Sequence, residues 1–331
     1  MSLKVIKAGV ADTIQDSGRY GWQHLGINPN GVMDRFSAAI ANILVGNHFK
    51  SAVIELHFPS SVFLFQKPTL IALAGANFSA TINGEPLSLY QPVLVNKNSI
   101  LQFHEPKAGA RVYLALNGNF QISKWLNSYS TNMKAEAGGF EGRAFQKNDE
   151  VEFNLSIDFS ETIANDEFVF LPWRADPARG DDSREILFSQ GNEWEWLTEE
   201  SKLNFQKQSF VITPNSDRMG YRLSAELLHT TTHDELVSSS VSFGTIQLLP
   251  DGRLILLMAD HQTTGGYPRV AHVITAHLPR LAQMKPGDMI HFKQTDIKNA
   301  EALLWKQHQH LNLLREACTV RLNEFLHDRR K

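Results

Sequence analysis

Short runs of apolar or alternating residues, typical of β-strands, recur along most of this chain. Turn signals such as Asn83-Gly84 and Pro250-Asp251-Gly252 separate them, and this pattern indicates antiparallel hairpins in a barrel or sandwich. We therefore predict a mainly β protein. The predicted strands are Ala52–Phe58, Thr69–Ala74, Pro92–Val95, Ile100–Phe103, Val112–Leu116, Phe210–Thr213, Gly244–Leu249, Leu254–Met258 and Val270–Ala276.

Helical patterns are few. Asp34 can cap a helix over Phe36–Val45, which Gly46 would end. Glu193–Gln208 is a second candidate. Lys298–His327 is a long third candidate, with leucines near helical spacing.

The chain is long enough for two domains, since its 331 residues exceed one ordinary domain. Phe145–Phe153 resembles Met284–Phe292: each has a polar turn with Lys and Asp, then an alternating strand that ends in Phe. Duplication and the chance recurrence of a common β unit both explain this repeat. Leu171–Asp182 is rich in Pro, Asp and Arg, which is typical of a linker. We predict domains at 1–160 and 186–297, a linker over 161–185 and a C-terminal helix over 298–331.

Charge and cysteine content limit the function classes. A net charge of −3 argues against a nucleic-acid or membrane-surface partner. Cys318 is the only cysteine, so no intrachain disulfide forms, and a reducing compartment is expected. Met1–Lys7 has no apolar core of signal-peptide length, and no stretch of the chain approaches the 18 apolar residues of a membrane span. We expect a cytoplasmic location.

The most informative segment is Asp260–Arg269, which follows the apolar run Leu254–Met258. It holds an acid, an amide, two threonines, a paired glycine, Tyr-Pro and a cation. A connector that only reverses the chain needs about two to five turn residues. The composition therefore favours a ligand site, in which Gly265 and Gly266 allow a close backbone approach. A long hairpin with a decorated tip is the alternative.

Three further clusters combine Gly or Ser with Arg and an acid. Such groups can hold a carboxylate or a carbonyl through backbone N–H and guanidinium donors. A loop tied by its own Asp–Arg pair is an equally good explanation for any one of them, but four clusters together favour a site. The clusters are Asp12–Gly21 with Gly31–Asp34, Asn127–Thr131 with Gly138–Arg143, and Pro214–Arg222.

Several of these motifs resemble the biotin-dependent carboxyltransferase, or allophanate hydrolase subunit 2, family. The resemblance runs from about Val5 to Phe292. It implies two tandem cyclophilin-like β-barrel domains, and a partner, the B subunit, that supplies a further barrel of this kind. The motifs are Ile14–Arg19, Gly31–Asp34, Ser216–Leu223, Gly244–Gln247 and Ala259–Arg269.

Three positions depart from the family pattern. Asn30 stands where a serine is usual, Tyr129 where an arginine is usual, and Asn77 where an aspartate is usual. These changes remove a hydroxyl, a cation and an acid from the first half. The motifs of the second half are intact, so ligand contacts there are better supported.

The resemblance implies the C subunit of an ATP-dependent 5-oxoprolinase, which hydrolyses 5-oxoproline to L-glutamate with the B subunit and an A subunit of lactam-hydrolase type. The chain would be inactive alone. A lactam carbonyl resists attack, so opening it needs phosphate activation and a pocket for the developing oxyanion. One alternative is a biotin-dependent carboxyltransferase component of the urea or allophanate type. Another is a regulatory protein that binds and antagonises a kinase inhibitor, but a pure binder has no need of an intact Asp260–Arg269 cluster.

The predicted catalytic residues are two acids and two arginines. The arginines would hold a carboxylate or a phosphorylated oxygen, and the acids would orient them or move protons. An ion pair or a shared ligand contact is expected between Asp260 and Arg269. The full set is catalytic Asp217, Arg218, Asp260 and Arg269, with substrate-binding Arg19, Ser128, Ser130, Arg222, Gln262, Thr263, Thr264, Gly265, Gly266 and Tyr267.

The sequence assigns no cofactor to a place on this chain. It contains no phosphate loop and no dinucleotide fingerprint, so ATP is expected at the level of the complex. Lys134 has Ala135 where a biotinyl-lysine hairpin needs a second methionine, so no covalent biotin is expected. His229 and His233 are separated by threonines and are interpreted as solvated residues, which leaves no metal-ligand motif. Cys318 is interpreted as a buried small hydrophobe.

Overall fold

The computed structural model describes residues 2–163, 166–177, 184–232 and 236–328. The protein is mainly β with few helices in this described part, as the sequence predicts. It divides into two compact units. The first comprises Met1–Gly18, Asp34–Arg179 and His308–Lys331, and the second comprises Arg19–Met33 and Gly180–Gln307.

Some strands of the first unit, such as Ser2–Lys7 and Glu150–Asn154, alternate in burial, whereas Val53–Leu56 and Thr69–Asn77 are buried almost throughout. Buried positions of all of them meet in one core. Leu3 and Val5 point inward, whereas Lys4 points outward and pairs with Glu150 on the neighbouring strand at 3.1 Å. The strands are β1 Ser2–Lys7, β2 Thr13–Gln15, β3 Val53–Leu56, β4 Val62–Phe65, β5 Thr69–Asn77, β6 Ala80–Ile82, β7 Glu85–Pro86, β8 Val93–Val95, β9 Ile100–Phe103, β10 Ala108–Leu116, β11 Asn119–Phe120, β12 Glu150–Asn154 and β13 Phe168–Phe170.

These strands form two sheets, in the orders β11-β12-β1-β4-β9-β6-β7 and β13-β8-β5-β10-β3-β2. Buried residues of both sheets contribute to the same core. A closed barrel requires the edge strands to pair, and the described strands of this unit do not do so. The first unit therefore differs from the predicted barrel.

Helix α1, Arg35–Leu44, follows the sequence expectation closely. Asp34 accepts a hydrogen bond from Ser37 N at 2.8 Å and caps it. Gly46, at φ 79°, lies directly after its end. The helix is almost wholly buried because its residues are small or apolar along their length.

The second unit contains a seven-stranded closed barrel in the order β14-β21-β18-β19-β16-β15-β22. A separate two-stranded sheet joins β17 to β20. The strands are β14 Glu185–Gln190, β15 Ser209–Ile212, β16 Gly220–Ser224, β17 Ser239–Ser240, β18 Thr245–Leu248, β19 Leu254–Leu257, β20 Thr264–Gly265, β21 Arg269–Val273 and β22 Met289–Gln294. The predicted strands of both halves are confirmed, with small changes at their ends.

The predicted helix over Glu193–Gln208 is interrupted. Trp194–Trp196 form a 3-10 turn, and α2 begins only at Glu199 and runs to Lys207. Thr198 has an extended backbone and caps α2 by accepting from Ser201 N at 3.1 Å. Phe205 of α2 stacks on Phe292 inside the barrel, with ring centroids 5.0 Å apart.

The remaining helical segments are short, apart from the C-terminal helix. That helix, α4, spans Ile297–Asp328 and confirms the prediction, and Cys318 on it is buried. Within the described residues, no helix combines the length and apolarity needed to cross a membrane. The others are the 3-10 turns Gln23–Leu25 and Thr275–His277 and the short helix α3, Leu278–Ala282.

The repeated turn-strand unit has the same geometry in both halves. Gln146 N donates to Asp149 Oδ2 at 2.7 Å, and Lys285 N donates to Asp288 Oδ2 at 2.9 Å. Strand β12 follows the first turn and β22 follows the second. The sequence resemblance therefore extends to the hydrogen bonds of the turn.

The predicted domain limits stay a prediction, and the compact units divide the chain in another way. Residues 19–33 belong to the second unit, and α4 is divided between Gln307 and His308. In the predicted linker, β13 pairs with β8. Residues 164, 165 and 178–183 of that linker lie outside the described residues.

Asp12 is a buried carboxyl group in the first unit, with 1% of its surface exposed. Its two oxygens accept hydrogen bonds from His57 N at 2.7 Å and Ser61 N at 2.6 Å. Burial nevertheless raises the pKa of Asp12 to about 6, and the charge of Glu55 adds to the shift. The folded protein therefore binds this proton more tightly than the unfolded chain does.

The first prediction is that ionisation of Asp12 destabilises the fold. The folded pKa of about 6 exceeds the ordinary value of 3.8, so the stabilisation from this group is complete below about pH 4 and is lost as pH rises through 6. The expected loss is on the order of 3 kcal/mol. The measurement is urea unfolding of the wild type and Asp12→Asn between pH 4 and 7. The wild type should lose stability relative to the variant over this range, and a constant difference would contradict the prediction.

Candidate functional site

Asp260 forms a buried, bidentate ion pair with Arg218. Arg218 Nε lies 2.9 Å from Asp260 Oδ2, and Nη2 lies 3.0 Å from Oδ1. Arg218 Nη2 also donates to Gly31 O at 2.7 Å. The two residues are brought together by the ladder between β16 and β19, which continues as Asp260 N donates to Arg218 O at 2.8 Å. Arg218 is only 8% exposed.

Asn30 extends this pair into a network within the second unit. Its Nδ2 donates to Asp260 Oδ1 at 2.7 Å, and its Oδ1 accepts from the guanidinium of the buried Arg19. Asn28 Nδ2 donates to Asp260 O at 2.9 Å. Asn30 has φ 55°, a left-handed conformation that Asn tolerates better than most residues. The side-chain amide of Asn30 donates through its nitrogen and accepts through its oxygen. Asn30, which stands where the family usually has serine, therefore bridges Asp260 and Arg19.

Arg269 has a different partner from the one expected. Its Nε and Nη2 donate to Glu193 at 3.0 and 2.7 Å, and its backbone N donates to Glu193 Oε2 at 2.8 Å. Burial disfavours the Glu193 charge, but the Arg269 hydrogen bonds outweigh it and hold the pKa of Glu193 below its ordinary value. The expected ion pair between Asp260 and Arg269 is therefore wrong, because each is already paired elsewhere. A contact of both with one ligand stays a prediction.

The segment between β19 and β21 is a crossover and not a hairpin. Both strands pair with β18, one on each side of it. Thr264 and Gly265 form β20 and pair with β17. Thr263 O accepts from Val241 N at 3.1 Å, and Gly266 follows β20. The alternative interpretation, that Asp260–Arg269 is the polar tip of a long hairpin, is therefore wrong.

A cleft of about 610 Å³ lies on the outer face of β16, β19 and β18. Arg222, Ile255 and Gln247 face one another across these three strands, since Ile255 is the register partner of both others. Their neighbours in sequence, such as Leu223 and Leu254, are buried in the barrel core. The polar groups that line the cleft are Asn215, Asp217, Arg222, Gln247, Asp251, Gln262 and the hydroxyl-bearing Tyr267.

Arg222 is the available cation of this cleft. Its side chain is exposed, and within the described residues its guanidinium makes no hydrogen bond or ion pair. Asp217 uses Oδ1 to accept from Met219 N at 2.7 Å and Gly220 N at 3.2 Å, which fixes the turn before β16. Asp251 pairs with Arg253 at 3.1 Å. The cleft thus offers an unpaired positive charge beside an acid and several amides.

Ser128 and Ser130 belong to the first unit and hold another acid. Their hydroxyls each donate to Asp16 Oδ1 at 2.6 Å, and Tyr129 N donates to Asp16 Oδ2 at 2.8 Å. Both serines are fully buried. The missing guanidinium at Tyr129 leaves these contacts intact, because Tyr129 contributes its backbone N–H.

Sequence reasoning misses two residues. It places Glu193 only in a helix, although Glu193 is the partner of Arg269. It includes Gln247 in a motif but gives this residue no role. The sequence signal for a role is that Gln247 is a polar residue between Ile246 and Leu248, at a strand position that alternates with the core-facing ones.

The two histidines discussed above, His229 and His233, are not found together in a metal-binding cluster of the described residues. His229 is exposed, and His233 lies outside the described residues. In the described part of the chain, no three His, Cys, Asp or Glu side chains are close enough to hold a metal ion.

The chain matches the model of the carboxyltransferase domain, subdomain A and B, over residues 25–294. It belongs to this family. Within it, the chain is 33% identical to the 5-oxoprolinase C subunit of Haemophilus influenzae, covering 92% of this chain and 94% of that protein. It is 30% identical to the 5-oxoprolinase C subunit of Escherichia coli, and the match covers 92% of this chain and 99% of that protein.

The fold also matches a solved member of larger size. The crystal structure of the K. lactis urea amidolyase superposes with a TM-score of 0.86 at 26% identity, covering 95% of this chain and 20% of that one. The likeness therefore concerns one region of a much longer protein. That region reproduces nearly the whole of this carboxyltransferase-family chain.

The second prediction separates two arginines four residues apart. Arg218→Ala leaves Asp260 buried without its partner, and we expect a loss of about 3–5 kcal/mol in the free energy of unfolding. Arg222→Ala is the matched control, since its exposed side chain has no protein partner in the described residues, and it should stay within about 0.5 kcal/mol. Urea unfolding of both variants is the measurement. Equal stability of the two would contradict the assignment of Arg218 to a stabilising network.

Proposed function

We propose that this chain is the C subunit of an ATP-dependent 5-oxoprolinase, which hydrolyses 5-oxoproline to L-glutamate together with the A and B subunits. The observation that carries the proposal is the match, over nearly the full length of both chains, with the 5-oxoprolinase C subunits of two bacteria. The cleft of the second unit supports it, because an unpaired cation beside amide groups suits a small anionic amide.

Arg222 is the residue that would bind the substrate carboxylate. A guanidinium presents a planar fork that matches a carboxylate, and a partner-free one loses no protein contact on binding. Asp217 Oδ1 is held by two backbone N–H groups, so its second oxygen is positioned at the cleft to orient the substrate or accept a proton. Gln262 and Tyr267 line the same cleft and would contact the substrate.

The paired residues of the site would act by positioning. Arg218 and Asp260 fix the turn that carries Asp217, and the Glu193–Arg269 pair fixes the start of β21. A substrate contact of Arg19, Ser128, Ser130, Thr263, Thr264, Gly265 or Gly266 stays a prediction. Arg19 and both serines are buried and engaged with protein groups.

ATP would act in the assembled complex. The phosphate it supplies activates the lactam carbonyl, which is stabilised against direct attack by water. We assign no ATP-binding residue to this chain. The partners we propose are a cyclophilin-like B subunit and an A subunit of lactam-hydrolase type, and the cytoplasmic location stays a prediction.

We also propose that both units derive from a cyclophilin-like barrel. The closed barrel of the second unit and the Asp-capped turn common to both units support this. The first unit, with its two sheets, would be an opened relative of the second.

Carboxyl transfer of the urea carboxylase type is the second candidate. The close structural match to the K. lactis urea amidolyase favours it. Such a reaction needs a biotin carrier, and Lys134 is not suited to this role because Ala135 stands where a biotinyl-lysine hairpin has its second methionine. Activity with urea and biotinylated carrier, and none with 5-oxoproline, would favour this candidate.

The third prediction is that activity requires the partner subunits. Purified chain alone should show no ATP-dependent release of glutamate from 5-oxoproline, whereas its co-expression with the A and B subunits should give a complex that does. Size-exclusion chromatography and a glutamate assay are the measurements. Turnover by this chain alone, or separate elution of the three proteins at micromolar concentration, would contradict it.

The fourth prediction concerns Arg222 in the assembled complex. Arg222→Ala should lower kcat/KM for 5-oxoproline by about 10- to 150-fold, the effect of losing a charge-assisted hydrogen bond. Arg222→Lys should keep only part of the wild-type kcat/KM, because the point charge of an ammonium group does not replace the planar fork of a guanidinium. Arg315→Ala, an exposed arginine of α4, is the control and should behave as wild type. An unchanged kcat/KM in Arg222→Ala would remove Arg222 from the substrate site.

A further inference from the structure

Gln247 has a buried amide oxygen that lacks a hydrogen-bond partner. Its side chain is 0% exposed, and its Oε1 makes no hydrogen bond in the described part of the chain. Buried polar atoms are almost always paired, and an unpaired one is costly enough to need an explanation. The same residue lines the cleft that contains Arg222.

The orientation of this amide is fixed by its surroundings. Gln247 Nε2 donates to Tyr267 O at 3.3 Å. Rotating the amide by half a turn would place Oε1 against this carbonyl oxygen, and two acceptors repel. The unpaired atom is therefore the acceptor and not the donor.

Gly265 covers this amide closely. A Cβ at position 265 would lie 2.6 Å from Gln247 Nε2, so a larger residue would force the amide to move. Gly265 does not have a positive φ, and close approach is the reason for glycine here. The crossover segment thus holds Gln247 in one place without pairing its oxygen.

Gln247 lies two strands from Arg222, with Ile255 between them. Two strand spacings are about 10 Å between Cα atoms, and the long Arg222 side chain shortens the gap between the functional groups. A small molecule in the cleft can therefore span the two positions, and it reaches the buried Oε1 of Gln247 once the residues that cover this atom move aside. It would need an anionic group for Arg222 and an N–H donor for Gln247.

We infer that Gln247 determines specificity for the substrate amide by accepting a hydrogen bond from its N–H while Arg222 binds its carboxylate. This inference rests on the proposed function and adds the group that distinguishes a lactam from its oxygen analogue. A site built around an unpaired acceptor rejects a ligand that lacks the donor, because the acceptor then stays buried and unpaired. A γ-lactone carries a ring oxygen in place of the N–H and should bind poorly.

The test is direct binding to the complex with the A and B subunits, measured by calorimetry with 5-oxoproline and with the γ-lactone analogue in which oxygen replaces the ring N–H. Wild type should bind the lactam at least about tenfold more tightly than the lactone. Gln247→Met should lose this preference with little change in lactone affinity. Gly265→Ala should weaken it, because the new Cβ displaces the amide.

Gln190→Met is the matched control, since Gln190 lies exposed at the end of β14, outside the cleft, and should keep the wild-type preference. Thermal melts check that Gln247→Met is folded. A wild type without lactam preference, or a folded Gln247→Met that retains it, overturns the inference.

Turnover is measured separately and tests the proposed function. A complex that prefers the lactam through Gln247 but releases no glutamate would support the inference and refute 5-oxoproline hydrolysis. A complex that releases glutamate, while its Gln247→Met variant keeps the preference for the lactam, would support 5-oxoproline hydrolysis and refute the inference about Gln247.

Discussion

The Arg218–Asp260 ion pair is the interaction on which the second unit depends. It ties together the turn before β16, the end of β19 and, through Asn30, the segment 19–33 that comes from far earlier in the chain. A buried pair is stabilising only when its remaining donors and acceptors are satisfied, because removing two charges from water is costly. Gly31 O accepts from the guanidinium and Asn30 donates to the carboxylate, so both members of the pair have a further partner.

This pair also explains why the arginines of the second half have different roles. Arg218 and Arg269 each have a carboxylate partner, so their charges are neutralised inside the protein. Arg222 is on the outer face of β16, where the alternation of the strand directs it away from the core. A free cation next to amide groups suits the small anionic amide that we propose as the substrate.

The cleft and the network are linked by short connections. Asp217 and Arg218 are adjacent residues of one turn, yet the first faces the cleft and the second pairs with Asp260. Gly265 lies against Gln247, and Tyr267 receives its hydrogen bond. The rigid network can therefore hold cleft groups in position without contacting the ligand, which is how a binding site keeps its geometry.

The sequence by itself determined the β class, the strands, α1 and the C-terminal helix, because these depend on local periodicity and on caps such as Asp34 and Gly46. It also located the polar segments that carry the candidate site. It did not determine which charges pair. Asp260 and Arg269 end the same segment, but β19 and β21 lie on opposite sides of β18, so each meets a partner distant in sequence. The roles of Asn30, Glu193 and Gln247 likewise follow from strand register and from crossovers, which only the tertiary structure decides, since side chains remote along the chain become neighbours through the closure of the barrel.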